Sequence, residues 1–380
     1  MKYIDEFRDP VKARALVDDI GRLVSRIPAA RARPLQIMEV CGGHTHTIFR
    51  YGIQQMLPDA VEFVHGPGCP VCVLPMGRVD DCVALAERPE VIFTTFGDAM
   101  RVPGSRMSLL KAKAAGADVR MVYSPLDALT LARKNPTREV VFFGLGFETT
   151  MPSTAMTLIQ ARAQGIGNFS LFCNHITIIP TIKAILDSPD LRLHGFLGPG
   201  HVSMVIGTRP YGFIARHYKK PIVVAGFEPL DVLHSTWMVL KQLADGRCEV
   251  ENQYGRVVPS TGNARALAAI QEVFELREFF EWRGLGSIDH SGVRVRAAYA
   301  AFDAERKFGV PNVSIADPRS CQCGEVLKGV IRPHECKVFG NACTPETPLG
   351  SLMVSTEGAC AASYTYGRAG MLARAGAAAS

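Results

Sequence analysis

The chain has 380 residues, 47% of them hydrophobic, which is enough for two or three domains that each bury a core. Its 42 lysine and arginine residues outnumber the 36 aspartate and glutamate residues by six, and the positive charges are scattered, so we expect no nucleic-acid partner. No apolar stretch approaches the ~18 residues of a membrane span, and the acidic N-terminal residues lack the apolar region of a signal peptide; we therefore expect a cytoplasmic protein that does not contact a membrane.

The first two thirds of the chain predict an α/β fold. Helical stretches such as Arg106–Ala115 and Thr154–Gln164 alternate with short apolar runs. The runs are apolar on both faces, which is typical of parallel strands covered by helices. The predicted strands are Leu35–Val40, Val61–Val64, Val91–Thr95, Val119–Tyr123, Val140–Leu145, Phe169–Cys173, Gly195–Leu197 and Pro221–Ala225.

A weak internal repeat predicts how these elements are divided. Gly-rich turns at strand ends occur in one order and then again in the same order. Residues 40–45, 65–69 and 95–98 are mirrored by residues 145–149, 197–201 and 225–228. The repeat predicts two similar Rossmann-like α/β domains with parallel sheets, residues 1–136 and 137–246, which meet near the turn at Asn135-Pro136.

The remainder, residues 247–380, is predicted to be a largely helical or irregular third domain. Ala264–Phe280 has the periodicity of a long amphipathic helix, with Asn263 or Thr261 as its cap. After Asp317 the chain is rich in Cys, Pro and Gly and has little periodicity. Such a segment rarely has an apolar core of its own, so we expect a metal centre to hold it together.

Five of the eleven cysteines lie in this last segment. In a reducing compartment such a density favours metal binding over disulfides. From Cys323 the intervening lengths are 12, 6 and 16 residues. Four thiolates on a flexible segment favour a 4Fe–4S cluster, because each iron takes one protein sulfur. The predicted ligands are Cys323, Cys336, Cys343 and Cys360, with Cys321 as the alternative first ligand. Zinc is the competing interpretation, although the segment lacks the short Cys-x2–4-Cys knuckles of zinc sites.

The sequence contains one Cys-x-x-Cys pair, Cys69 and Cys72, on a Gly-Pro-Gly turn that follows a predicted strand. The spacing allows a reversible disulfide, and a position at a helix N-terminus would lower a thiol pKa. The turn favours an exposed, redox-active pair. Half of a zinc site, or two buried thiols, is the alternative.

Cys41 and His44 belong to a Gly-rich turn after the first strand. Ligands of parallel α/β sheets bind at the C-terminal ends of strands, where this turn falls. Cys41 is therefore a candidate soft-metal ligand or nucleophile, and His44 or His46 a candidate proton handler. Alternatively the turn cradles a phosphate, although it lacks the lysine of a Walker A motif.

Other polar turns fall at strand ends and together would line one cleft between two domains. Their alternative role is helix capping. These turns are Gly97-Asp98, Glu148-Thr149-Thr150, Gly200-His201 and Glu228.

In these motifs and their order, the sequence resembles the HypD family of NiFe-hydrogenase maturation proteins over nearly the whole chain. The motifs that carry the resemblance are Cys41–Thr47, Gly66–Cys72, Thr95–Asp98, Gly146–Thr150, Gly198–Ser203, Gly226–Asp231 and Cys321–Cys360.

The resemblance implies a protein that assembles the Fe(CN)2CO group of the hydrogenase, in a complex with a HypC-type small chaperone and with a HypE-type cyanide donor. Cys41 matches the thiol proposed to hold the transient iron, Cys69 and Cys72 match a redox pair, and the C-terminal cysteines match a 4Fe–4S cluster. The candidate catalytic residues are then Cys41, His44, Cys69, Cys72, Asp98 and Glu357.

Two other functions stay open on the sequence. A stand-alone iron–sulfur thiol–disulfide reductase would use the cluster and the Cys-x-x-Cys pair but gives Cys41 no role. A zinc-stabilised binding protein would use only the C-terminal cysteines.

Overall fold

The computed structural model describes residues 5–188 and 192–367. The strands are β1 (Leu35–Glu39), β2 (Val61–His65), β3 (Val91–Thr95), β4 (Val119–Met121), β5 (Glu139–Gly146), β6 (Phe169–His175), β7 (Leu193–Pro199), β8 (Ile222–Ala225), β9 (Val250–Asn252), β10 (Phe274–Leu276), β11 (Phe279–Trp282), β12 (Gly286–Asp289) and β13 (Val293–Val295). The α-helices are α1 (Pro10–Ser25), α2 (Gly42–Arg50), α3 (Ile53–Met56), α4 (Met76–Ala86), α5 (Leu109–Ala114), α6 (Pro125–Lys134), α7 (Met151–Ala163), α8 (Ile178–Leu186), α9 (Gly200–Ile206), α10 (Gly212–Tyr218), α11 (Pro229–Ala244), α12 (Ala264–Val273), α13 (Ala304–Phe308) and α14 (Cys323–Leu327). Residues 359–367 are also helical.

Two parallel sheets organise the molecule. The first has the strand order β2-β1-β7-β8-β9 and the second the order β4-β3-β5-β6. All eight predicted strands are present, and every pairing within the two sheets is parallel. The predicted α/β fold with parallel sheets is confirmed.

Burial on both faces explains the apolar runs. Val140 and Phe142 of β5 face one apolar cluster, which includes residues of α6 and α7. Val141 and Phe143 face another, which includes residues of α4. Because successive side chains of a strand point to opposite faces, a strand between two helical layers needs apolar residues at every position.

The division of strands between the sheets departs from the predicted boundary at residue 136. The first sheet combines β1 and β2 with β7, β8 and β9, while the second combines β3 and β4 with β5 and β6. The chain thus leaves the first sheet after β2, builds the second, and returns. Strand order in a parallel sheet depends on how the crossover helices pack, which the repeated turns do not encode.

The region after residue 263 contains more strand than predicted. Asn263 caps α12, since its side chain accepts a hydrogen bond from the Ala266 amide at 3.1 Å. The helix ends at Val273, however, and Phe274–Leu276 pairs with Val293–Val295 as an antiparallel strand. The predicted helix Ala264–Phe280 is therefore wrong beyond Val273, where strand pairing replaces helical hydrogen bonds.

Across residues 5–188 and 192–367, the helices are all too short or too polar to traverse a lipid bilayer.

Candidate functional site

The turns that follow β1 and β2 meet at one edge of the first sheet, because these strands are parallel neighbours. Cys41 is the N-terminal cap of α2, after β1. The amide of Gly42 donates to the carbonyl oxygen of Gly68 at 3.1 Å, and a Cβ on Gly68 would overlap the Cys41 backbone. Gly68 precedes Cys69, so the Cα atoms of Cys41 and Cys69 lie within about 8 Å of each other.

Cys69 and Cys72 form a disulfide with a Cα–Cα distance of 5.2 Å. Both are buried, at 4% and 1% exposure. The expectation of an exposed turn is therefore wrong, because residues near the C-terminus cover the pair. Ser351 donates its hydroxyl to the Cys72 carbonyl oxygen, and Gly358 packs against the Cys72 sulfur.

The C-terminal cysteines line one cavity together with apolar side chains that include Val326, Phe339 and Met353. The Cys321 and Cys323 sulfurs are 3.1 Å apart. A Cβ on Gly350 would lie 2.5 Å from both of these sulfurs, so only glycine leaves the space beside them open. The five cysteines of the cavity are Cys321, Cys323, Cys336, Cys343 and Cys360.

This donor set fits a 4Fe–4S cluster. Within the described residues, no three His, Cys, Asp or Glu side chains converge as the ligands of one metal ion do. A cubane does not need such convergence, because each of its irons takes a separate protein sulfur. Four thiols around an apolar cavity are therefore the right chemistry for a cluster.

The segment 351–360 links this cavity to the disulfide. A Cβ on Gly358 would lie 3.0 Å from the Cys72 sulfur, and Gly358 is two residues before Cys360. The Cys72 sulfur is thus within about 12 Å of the Cys360 Cα atom. The same apolar cluster contains Cys69, Cys72, Cys323, Cys343 and Cys360.

Two carboxylates, those of Glu357 and Glu39, lie close to Cys41. A Cβ on Gly42 would lie 2.6 Å from Glu357 Oε2, so that carboxylate lies beside Cys41. Burial first, and then the charge of Glu357, raises the pKa of the Cys41 thiol above its ordinary value, while the amides of Gly43 and His44 act in the opposite direction. A metal ion that binds Cys41 must therefore displace a proton.

Asp98 and Glu357 are surface residues, although the carboxylate of Glu357 packs against the start of α2 and is desolvated there. Asp98 Oδ2 accepts a hydrogen bond from Ser355 Oγ at 3.2 Å, two residues before Glu357. Desolvation, followed by the charges of Asp98 and Glu39, raises the pKa of Glu357. The structure thus brings together Cys41, Asp98 and Glu357, three of the predicted catalytic residues.

His44 is fully buried. Its Nε2 donates to the Ala225 carbonyl oxygen at 3.2 Å, and its ring stacks on Phe227 with centroids 4.9 Å apart. Burial lowers the pKa of His44, so its ring is neutral at neutral pH. The imidazole is directed against the end of β8, and its proton-handling role stays a prediction.

Sequence reasoning missed Glu39, the last residue of β1. Its side chain is fully buried. Its carboxylate accepts hydrogen bonds from the Cys41 amide at 3.0 Å, from the Thr45 hydroxyl, and from His65 Nδ1 at 2.9 Å. A carboxylate at the end of an apolar strand, directly before the Cys41 turn, was the signal available in the sequence.

Glu148 and Glu228 cap helices, as the alternative interpretation of the polar turns predicted. Glu148 Oε1 accepts from the Ile178 amide at the start of α8 at 3.1 Å, and Glu228 forms a capping box at the start of α11. Glu148 Oε2 is buried and has no hydrogen-bond partner within the described parts of the chain. Burial raises the pKa of Glu148 to about 7.

Comparison with known proteins identifies close relatives. A family model described as "HypD: Hydrogenase formation hypA family" matches residues 12–367. The chain is 62% identical over 373 residues to the hydrogenase maturation factor HypD of Rhodobacter capsulatus, covering 97% of this chain and 99% of that protein. It is 57% identical over 366 residues to the protein of the same name from Escherichia coli (strain K12), covering 96% and 98%. These matches include both sheets and the cysteine-rich segment.

Proposed function

Because the chain belongs to the HypD family of hydrogenase maturation factors, we propose that it is the scaffold on which the Fe(CN)2CO group of a NiFe hydrogenase is assembled. The single observation that carries this proposal is the position of Cys41, whose Cα atom lies within about 8 Å of that of Cys69 in the disulfide and which is next to the Glu357 carboxylate. A thiol, a redox-active pair and a proton acceptor are the groups that loading and modifying a low-valent iron would require.

Cys41 holds the iron, and a cysteine of a HypC-type small chaperone is the second thiolate ligand. Soft thiolates suit iron that carries cyanide and CO, which themselves favour low oxidation states. A HypE-type partner delivers the cyanide. Glu357 accepts the proton that Cys41 loses on binding iron, because its carboxylate lies beside the start of α2, next to Cys41.

Cys323, Cys336, Cys343 and Cys360 hold the 4Fe–4S cluster, with Cys321 as the alternative first ligand. When bound, the cluster supplies one-electron transfer. Reduction of the Cys69–Cys72 disulfide takes two electrons and two protons, which an external one-electron donor would deliver through the cluster in two successive steps, with the protons taken from water, and it yields two thiols. The segment 351–360 supports a relay between these groups, since it contacts Cys72 and also contains Cys360.

Free thiols and a reduced cluster suit the cytoplasm, where we expect the protein to act. A stand-alone thiol–disulfide reductase is the second candidate, and the position of the disulfide near the cavity of cysteines favours it. It gives no role to Cys41, which is why the scaffold is preferred.

Infrared spectroscopy tests the proposal. The protein is purified anaerobically together with its small chaperone, and the spectrum is searched for the stretching bands of iron-bound cyanide and CO. The scaffold predicts both sets of bands. A complex that lacks them but reduces a generic disulfide substrate would establish the reductase instead.

A further inference from the structure

We propose that Glu39 is a positioning residue for Cys41, which fixes the thiol through the backbone at the start of α2. Its influence on bound iron rests on the proposed function, whereas its hold on the thiol does not.

The three hydrogen bonds of Glu39 divide between its two oxygens. Oε2 accepts the Cys41 amide, while Oε1 accepts the Thr45 hydroxyl and His65 Nδ1. Cys41 is the cap of α2 and Thr45 lies in its first turn. One carboxylate therefore holds both ends of the segment that presents the sulfur, and His65 ties that carboxylate to β2.

A buried carboxylate is costly unless donors satisfy it. Glu39 is fully buried, and its donors are all contributed by the site. The N-terminal end of α2 also favours a negative charge. These features explain why an acidic residue is stable there, and they make the position of Cys41 depend on that residue.

Two substitutions separate the hydrogen bonds from the charge. In Glu39→Gln, the amide oxygen can still accept the Cys41 amide, while the amide nitrogen faces the Thr45 hydroxyl and His65, both of which can accept. Glu39→Ala removes every bond. Glu62→Ala is the matched control, because Glu62 lies on the adjacent strand β2 and bonds instead to Gln36 and Arg332.

Alkylation of Cys41 in the metal-free protein, followed by mass spectrometry, tests positioning without iron. Glu39→Ala should accelerate Cys41 alkylation about tenfold, since bonds to a charged acceptor are lost. Glu39→Gln and Glu62→Ala should stay within about twofold of the parent. Cys82, fully buried in α4, is the internal control for general opening. Equal acceleration at Cys41 and Cys82, or none at Cys41, would overturn the inference.

The infrared bands of the iron-loaded complex test whether the charge of Glu39 acts on iron bound at Cys41. Loss of a negative charge beside Cys41 should weaken back-donation from the iron, so Glu39→Gln should move the CO band to higher wavenumber, and Glu62→Ala should not. Unshifted bands in Glu39→Gln would refute the electrostatic part of the inference. Absence of bands in the parent complex would refute the proposed function, while the alkylation result would still decide whether Glu39 positions Cys41.

Discussion

The side chains around Cys41 have two effects on its thiol: they favour its protonated form, and they include an acceptor for the proton that the thiol would lose. Burial and the carboxylate of Glu357 raise the pKa of the thiol, so the metal-free site keeps a proton there. In the proposed function, the same carboxylate receives that proton when iron binds. A buried, protonated thiol is a poor nucleophile, so the site is protected from unwanted thiolate chemistry.

Cys41→Ala should leave the fold and the proposed C-terminal cluster intact but abolish the infrared bands of iron-bound cyanide and CO. The reason is that Cys41 caps α2 through its backbone, without a side-chain capping bond. Circular dichroism and the cluster absorbance check folding, and infrared spectra of the chaperone complex check iron. Persistent bands would place the iron elsewhere, for instance wholly on the chaperone.

The free energy of unfolding of Glu148→Gln, compared with that of the parent at the same pH, should be higher at pH 8 than at pH 5. The pKa of Glu148 is raised from 4.5 to about 7 by burial, so the folded state binds the extra proton. Stability from this group is complete below the unfolded pKa and falls as pH rises through about 7. The difference approaches about 3 kcal/mol at most.

Urea unfolding of both proteins at the two pH values measures this difference. The Gln oxygen can still accept from the Ile178 amide, so the capping bond is kept. Glu90→Gln, which alters an exposed turn, controls for the general loss of one carboxylate. The prediction would be refuted if the free energies of unfolding of the parent and Glu148→Gln differed by the same amount at both pH values.

At the scale of elements, the segment 351–360 joins the cavity of cysteines to the disulfide. The close contacts of this segment depend on Gly358, which has no side chain. A Cβ on Gly358 would overlap the Leu352 carbonyl oxygen and lie 3.0 Å from the Cys72 sulfur.

Gly358→Ala should therefore lower the free energy of unfolding by about 1–3 kcal/mol, as overpacking does, and should change the rate at which a thiol reagent reduces the disulfide. Gly167→Ala is the matched control, because no atom lies within 4 Å of the Cβ it would add. Urea unfolding and timed reduction provide the measurements. If Gly358→Ala behaved like Gly167→Ala in both, the close packing of this segment on the disulfide would be disproved.

If Cys343 is a ligand of the proposed cluster, Cys343→Ala should lose bound iron and make residues 321–360 more sensitive to protease, because metal binding would contribute folding free energy there. Cys248→Ala is the control, since Cys248 lies outside the cavity and contacts the Lys219 carbonyl oxygen. Iron analysis and limited proteolysis of anaerobic protein decide the outcome. A Cys343→Ala protein with full iron content would remove Cys343 from the ligand set.

At the scale of the whole molecule, the sequence was sufficient to predict those elements that depend on a local pattern of apolar residues. The apolar run Val91–Thr95 predicted its strand without error, because all five residues are buried between helical layers. The sequence was insufficient to predict features that depend on contacts between residues far apart in the chain. The return of the chain to the first sheet at β7, the coverage of Cys72 by Gly358, and the hold of Glu39 on Cys41 all join residues through tertiary packing.

A further distant connection is made by Arg78 of α4, which joins α13, in the third region of the chain after residue 247, to β6 of the second sheet. Its guanidinium donates to Asn174 Oδ1 at 2.6 Å and to Glu305 Oε1 at 2.5 Å, and it lies 4.1 Å from the centroid of the Phe172 ring. Arg78 is 5% exposed, so these bonds have little competition from water.

Arg78→Met should lower the free energy of unfolding by about 3 kcal/mol, because it leaves buried acceptors without a donor. This loss of unfolding free energy is at the lower end of the range for breaking a buried ion pair, because Glu305 still accepts a hydrogen bond from Arg277 at 2.5 Å. Arg106→Met is the control, as Arg106 is exposed and pairs at the surface with Glu87 at 3.1 Å; it should cost less than about 1 kcal/mol. Urea unfolding gives both values, and a double-mutant cycle with Glu305→Gln isolates the pair. Equal costs for Arg78→Met and Arg106→Met would mean that this buried network contributes nothing measurable to holding the third region against the second sheet.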